Sequence, residues 1–281
     1  MSVRTGALVC ALLAAPAFPQ APAFEVVSVK PNRTGDPRNM RLQVTPGKFA
    51  ASSMPLRVLI VFAYELPMNP SPRVIGMPDW VNHEMFDVEA KAADAAFPPG
   101  LSALEVKARM QPMLRRLLAD YFHLDMRVAP KEMGVYALTV AAGGPKLQKA
   151  AIEEKDCPTG PIDQSTCHRF QGGIGRGLHT NAANMTDLAA HIENWTDLPV
   201  VDRTGLDGLY AMDTEGWAPM ALPPPPPDGI PPLRPSGDGD MRDPGRPTLF
   251  VLLHRLGLEL KRDRGAVETY TVERIERPPA N

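Results

Sequence analysis

Cysteine is scarce in this chain: three residues among 281, at positions 10, 157 and 167. That scarcity excludes a disulfide-dense miniature scaffold and a multi-cysteine zinc or iron–sulfur centre. An excess of one charge sign is also missing. Thirty lysines and arginines face 32 acids, for a formal net charge of −2. A nucleic-acid partner would require a basic face and is not expected. Beyond Phe18 no apolar run is long enough to span a bilayer. The histidines, His83, His123, His168, His179, His191 and His254, form no HExxH pair, and no serine sits in a GxSxG setting. On these grounds no catalytic residue, no cofactor and no metal site is assigned.

What the chain does have begins at its N-terminus. Met1–Arg4 is short and positive, Gly6–Phe18 is apolar, and small residues follow at Ala21 and Ala23. This order predicts a secretory leader over residues 1–22, and hence an exported protein, periplasmic or extracellular, with no membrane span after cleavage. Cys10 follows Val9 inside the apolar stretch, a poor context for a lipid anchor. The two remaining cysteines, Cys157 and Cys167, are close in sequence. In an oxidising compartment they predict one disulfide closing a small loop. A zinc site is disfavoured, because only His168 is adjacent and no second ligand pair follows.

Proline is abundant, with 32 residues, and eleven of them fall in 218–247, including a PPPPP run at 223–227. Such a segment builds no core and reads as an extended insert. It is either a proline-rich ligand for an aromatic groove or a tolerated surface loop.

The rest of the chain alternates strand and helix patterns. Residues 23–30 alternate with period two, and 41–44 and 48–51 read as strands around Pro46-Gly47. A helix follows over Pro55–Leu66, with Ser53 as its cap, and residues 74–81 read as a loop. Phe86–Ala92 is a strand. Leu101–Met110 reads as a helix cut by Pro112, and Met113–Phe122 as a second one with Leu114, Leu117, Leu118 and Tyr121 inward. Strands follow at 125–129 and 135–140. Residues 151–176 are polar and read as a linker, its glycine-rich GGIGRG (172–177) flexible. Beyond it, Thr186 is the candidate cap of a helix with Leu188, Ile192 and Trp195 on one face. Val200 and Val201 suit a buried strand, and 209–215 a second. Pro247 to Leu256 is helical and ends at Gly257. Residues 258–260 and 268–275 read as two strands with Gly265 in the turn between them.

These patterns repeat. GKFAASSM (47–54) parallels GLHTNAANM (177–185), and FDVEAKA (86–92) parallels YAMDTEG (210–216). QPMLRRLLADYFHLDMRV (111–128) parallels RPTLFVLLHRLGLELKR (246–262), and VYALTV (135–140) parallels TYTVERI (269–275). The spacing between partners changes only where loops change length. The expected fold is α+β: two tandem, duplicated modules, each a small mixed sheet with helices packed on it. The first module takes 23–150, the linker 151–176, and the second 177–281 with its insert.

Within the second module Asp202, Gly205, Asp207 and Gly208 mark a tight turn between strands. Asp202 is read as a turn-former that accepts backbone N–H bonds. Together with Asp207, Asp213 and Glu215 it also makes a carboxylate-rich stretch that acid–base chemistry or calcium would need. Trp80, Trp195 and Trp217 are candidates for lining a pocket between the modules, or for ordinary core.

FEVVSVKPN (24–32), GKFAASSMPLRVLI (47–60) and above all PVVDRTGLDGLY (199–210) carry a resemblance. The chain is similar to a family of exported soil-bacterial proteins of unknown function, whose domain is also found appended to antirepressor-type membrane zinc peptidases. The second module is also similar to the short N-terminal domain of secretins and TonB-dependent receptors. These resemblances imply protein contacts and carry over no catalytic residue. The expectation is an exported, non-catalytic binding or assembly module for a protein or cell-envelope component. The rivals are an extracytoplasmic hydrolase using the Asp202–Asp207 turn and a sensory domain acting with a membrane peptidase.

Overall fold

The computed structural model describes residues 22–33, 37–158, 166–219 and 245–278. The expected leader and most of the proline-rich insert lie outside the described residues. The first half runs β1 (Val26–Asn32), β2 (Arg41–Thr45), β3 (Lys48–Pro55), α1 (Leu56–Tyr64), β4 (Val74–Ile75), α2 (Trp80–His83), β5 (Met85–Lys91), α3 (Ala103–Phe122) and β6 (Asp125–Val140). The second runs β7 (Gln148–Lys149), β8 (Gln171–Gly173), β9 (Gly177–Ala183), α4 (Met185–Ile192), β10 (Val200–Asp202), β11 (Tyr210–Asp213), α5 (Leu249–Arg255) and β12 (Leu258–Arg274). The class is α+β.

Among the described residues three four-stranded sheets result, with orders β1-β5-β3-β2, β7-β11-β9-β8 and β10-β6-β12-β4. The first two have the same order once β1, β2, β3 and β5 are replaced by β7, β8, β9 and β11. In the third, β6 and β12 pair antiparallel along nearly their whole lengths, Asp125 opposite Arg274 and Val140 opposite Leu258. Each carries a short parallel strand on its outer edge, β10 beside β6 and β4 beside β12.

This long ribbon ties the halves together. One core gathers Phe49, Leu59, Phe86, Leu114 and Phe122, and with them Tyr270, Val272 and Ile275 from the far end of the chain. The other gathers Leu188, Ile192, Met212, Trp217 and Leu253, and with them Tyr136 and Leu138 from β6. The expected division at 150 and 177 follows the chain. The packing crosses it, because each long strand buries one end in the core of the other half.

Several elements differ from expectation, for identifiable reasons. Residues 125–129 and 135–140 are one strand, and so are 258–260 and 268–275. The charged residues 131–132 and 261–264 in the ribbon are exposed and interrupt the strand pattern, yet the backbone is paired across them. Gly265 sits opposite Met133 in that ladder and not in a turn. Residues 101–122 hold one helix, not two. Pro112 lies inside it, and a box of hydrogen bonds between Ser102 and Glu105 caps its start. The helix turns Tyr121 toward solvent. Ser53 does not cap α1. It takes a positive φ of 49° at a bulge in β3, and its N–H donates to Asp87 Oδ1 at 2.8 Å. Residues 74–81 contain β4 and the start of α2, where a loop is expected. Asn184, not Thr186, caps α4, whose regular turns end at Ile192. Trp195 then closes a short 3-10 turn.

The glycine-rich stretch 172–177 is ordered and not a flexible linker. It turns from β8 into β9 against other backbone. A Cβ on Gly177, at φ +90°, would lie 2.0 Å from the Thr214 carbonyl oxygen, and one on Gly173 would lie 2.7 Å from the Trp195 ring. Only glycine permits these approaches.

Candidate functional site

A cleft of about 590 Å³ opens between the halves, within the size range of small-molecule sites. One wall is Val44 of β2, Val61 and Phe62 of α1, and Leu104 of α3. The other is the segment Cys167–Phe170 with Asp187 and His191 of α4. Arg73 and Lys107 stand among these largely apolar residues, and Lys107 is ion-paired to Glu65.

The segment Cys167–Phe170 is held by covalent and polar contacts. Cys167 forms the disulfide with Cys157, with Cα atoms 5.9 Å apart. His168 takes a positive φ of 55°, and its N–H donates to the Ala182 carbonyl at 2.7 Å. Its ring lies between two carboxylates, Nδ1 2.7 Å from Asp187 Oδ2 and Nε2 2.8 Å from Glu154 Oε1. The same Asp187 oxygen accepts the N–H of Asn184, while Asn184 Oδ1 accepts the N–H of Asp187. The helix cap therefore orients the carboxylate that orients the imidazole. Burial alone would lower the His168 pKa. The hydrogen bonds and charges of Asp187 and Glu154 outweigh it and raise the pKa.

His191 has the opposite environment. Phe170 stacks on it at 4.8 Å and the Trp195 edge meets it at 4.8 Å. Burial pushes its pKa down to about 4, so the ring is neutral at pH 7. Its Nε2 is buried and has no hydrogen-bond partner among the described residues.

Beside the cleft a polar latch joins the halves. Arg73 contacts Glu193 Oε1 through Nε at 2.9 Å and Nη2 at 2.8 Å, and Glu193 Oε2 accepts the N–H of Val200. Asn194 Oδ1 accepts the N–H of Met68, and the Asn69 amide donates to the Asn194 carbonyl.

The three tryptophans do not share one pocket. Trp195 and Trp217 pack edge to face at 5.3 Å in the second core. Trp80 packs against the first core, with the Arg277 guanidinium 4.8 Å above its ring. The turn residues do share one place. Asp202 Oδ1 accepts from the N–H and hydroxyl of Thr204 at 2.9 and 2.8 Å. Gly205 and Gly208 have φ of 66° and 85°, and the Asp207 carbonyl accepts from Lys149 Nζ. Three of the four carboxylates of that stretch have separate surroundings. Asp213 meets His179, Glu215 meets Arg255, and Asp202 serves its own turn.

The turn, the latch and most of the cleft lie within residues 57–275, which match the family described as Protein of unknown function (DUF3738). The chain belongs to this family. No curated protein and no solved structure matches the chain. The DUF3738 region begins in α1 and ends just beyond β12. It therefore includes both ends of the latch and both histidines of the cleft.

Sequence reasoning missed Glu154, Asp187, Arg73 and Glu193 as site residues. The one available signal was the N-xx-D spacing of Asn184 and Asp187, which marks a cap. Nothing along the chain connects Arg73 with Glu193, which are 120 residues apart.

Proposed function

We propose that this chain is an exported, non-catalytic binding module that receives a protein or cell-envelope component in the cleft between its halves. The observation that carries this reading is the cleft itself: a concave, largely apolar space whose polar groups fix its own walls. Cys167 is bound in a disulfide, His168 holds Glu154 to Asp187, and Arg73 holds Glu193. Groups engaged in this way give a preformed, rigid pocket, which lowers the ordering cost of binding. The similarity to the short domain of secretins and TonB-dependent receptors, and to domains appended to membrane peptidases, supports a role in contacts at the envelope. The equivalent strand orders of the two outer sheets support an origin by duplication.

Two experiments test the proposal. Fractionation of cells expressing the full chain should find it outside the cytoplasm with its new N-terminus near Ala21–Ala23; full-length chain kept in the cytoplasm would refute export. The purified mature protein should show no turnover of generic esters, peptides or glycosides. It should bind envelope fragments or exported peptides with a change in Trp195 fluorescence that Phe62→Ala weakens. Turnover abolished by Asp202→Asn in a folded protein would replace this reading with a hydrolase.

A further inference from the structure

Next to the cleft, the disulfide lies against two further donors of the kind that bind metal. Glu154, Cys157 and His168 each present a ligand atom, and these three atoms lie within 4.8 Å of one another. The sulfur of Cys167 adjoins this set through its bond to Cys157, without itself belonging to it, and is freed when that bond opens. The imidazole is already arranged as metal-binding histidines are. Its Nδ1 is hydrogen-bonded to a carboxylate, Asp187, that is itself fixed by the Asn184 N–H, and its Nε2 points to Glu154. Such a carboxylate behind a histidine sets ring orientation and strengthens the other nitrogen as a ligand.

While the disulfide is closed the set cannot act as a thiolate site. Both sulfurs are tied to each other, and the carboxylate of Glu154 takes the imidazole nitrogen. We propose that the disulfide masks a zinc site, and that reduction by a dithiol or a phosphine unmasks it, with Cys157, Cys167, His168 and Glu154 as the four ligands.

The step balances as follows. A dithiol passes two electrons and two protons to the Cys157–Cys167 bond and becomes a cyclic disulfide itself; a phosphine does the same with water and becomes its oxide. The two thiols then release their protons as the ion binds. Two sulfurs, one imidazole nitrogen and one carboxylate oxygen form a tetrahedral donor set suited to zinc, and the soft sulfurs disfavour calcium and magnesium. Glu154 moves from hydrogen-bonding Nε2 to sharing the ion with it. The closed form is locked covalently and the open form by the metal, so Cys157 and Cys167 stay tethered to each other in both.

The test uses the full mature chain, oxidised or reduced with a phosphine, and zinc alone as the probe in competition with a chromophoric chelator. The reduced chain should hold one zinc per molecule and the oxidised chain none. Cobalt substituted for zinc should show thiolate-to-metal charge transfer with the intense visible bands of a tetrahedral site. His168→Ala and Glu154→Gln, each with two titratable thiols and an unchanged circular dichroism spectrum, should weaken zinc binding tenfold or more. Equal zinc binding by the oxidised and reduced chains would overturn the proposal. So would reduced chain that binds none, or zinc affinity indifferent to both substitutions.

Discussion

Arg73 and Glu193 form a buried ion pair that crosses from one half of the molecule to the other, with the Glu193 side chain 3% exposed. Ser71 and the backbone N–H of Val200 complete the surroundings of the carboxylate. Removing the guanidinium leaves a charge that water cannot reach. Arg73→Leu should therefore destabilise the protein by about 3–5 kcal/mol. Arg73→Leu combined with Glu193→Leu should cost less than the sum of the single changes, because the second removes the stranded charge. Urea melts of the single and double variants measure this, and additive losses would show that the pair is not coupled.

The glycines should rank by what surrounds them. Gly205 has a positive φ and nothing within 4 Å of an added Cβ, so Gly205→Ala should cost about 1 kcal/mol. Gly177 has both a positive φ and the Thr214 carbonyl in the way, and Gly177→Ala should cost roughly 3 kcal/mol or more. Asp202→Ala, which strips two hydrogen bonds from the turn, should lie between them at about 1–2 kcal/mol. Chemical denaturation of the three variants gives the order, and a silent Gly177→Ala would contradict the packing described for β9.

The two histidines of the cleft should give opposite pH dependences. His191 has a folded pKa lowered from 6.5 to about 4. The stability linked to its neutral form is complete above about pH 6.5 and is lost as the pH falls toward 4. The loss approaches about 3 kcal/mol at the acid end, an order-of-magnitude figure. His191→Leu should remove this acid sensitivity. His168 has a raised folded pKa. Its contribution is complete below its unfolded value and is lost as the pH rises through the folded one, so His168→Gln should narrow the difference between mildly acidic and alkaline stability. Melting temperatures across pH 4 to 9 test both signs.

The Cys157–Cys167 bridge closes a loop with a sequence separation of 10. Replacing both cysteines by alanine should lower stability by about 2–3 kcal/mol on the loop-entropy account. Non-reducing peptide mapping should recover the linked pair, and two alkylated thiols in the purified protein would remove the assignment.

Local sequence determined much of the element content. Apolar spacing marked α1, α4 and α5, because a helix that buries one face must repeat near 3.6 residues. The paired cysteines and the turn from Asp202 to Gly208 were legible for a similar reason, since they depend on residues within about ten positions of each other. The paralleled stretches 47–54 and 177–185 contain β3 and β9, which hold equivalent places in the orders of their sheets. Tertiary structure decided the rest. The ribbon of β6 and β12 pairs residues more than 100 positions apart, and the exposed charged run 261–264 interrupts its apolar pattern. That pairing places Tyr270 in the first core and Tyr136 in the second. Elements from the two halves then line one cleft, with Val61 of α1 and His191 of α4 among its walls, and Arg73 reaches Glu193. Burial and hydrogen bonding of a charged side chain are set by groups that arrive from elsewhere in the chain, and no local pattern encodes where those groups will be.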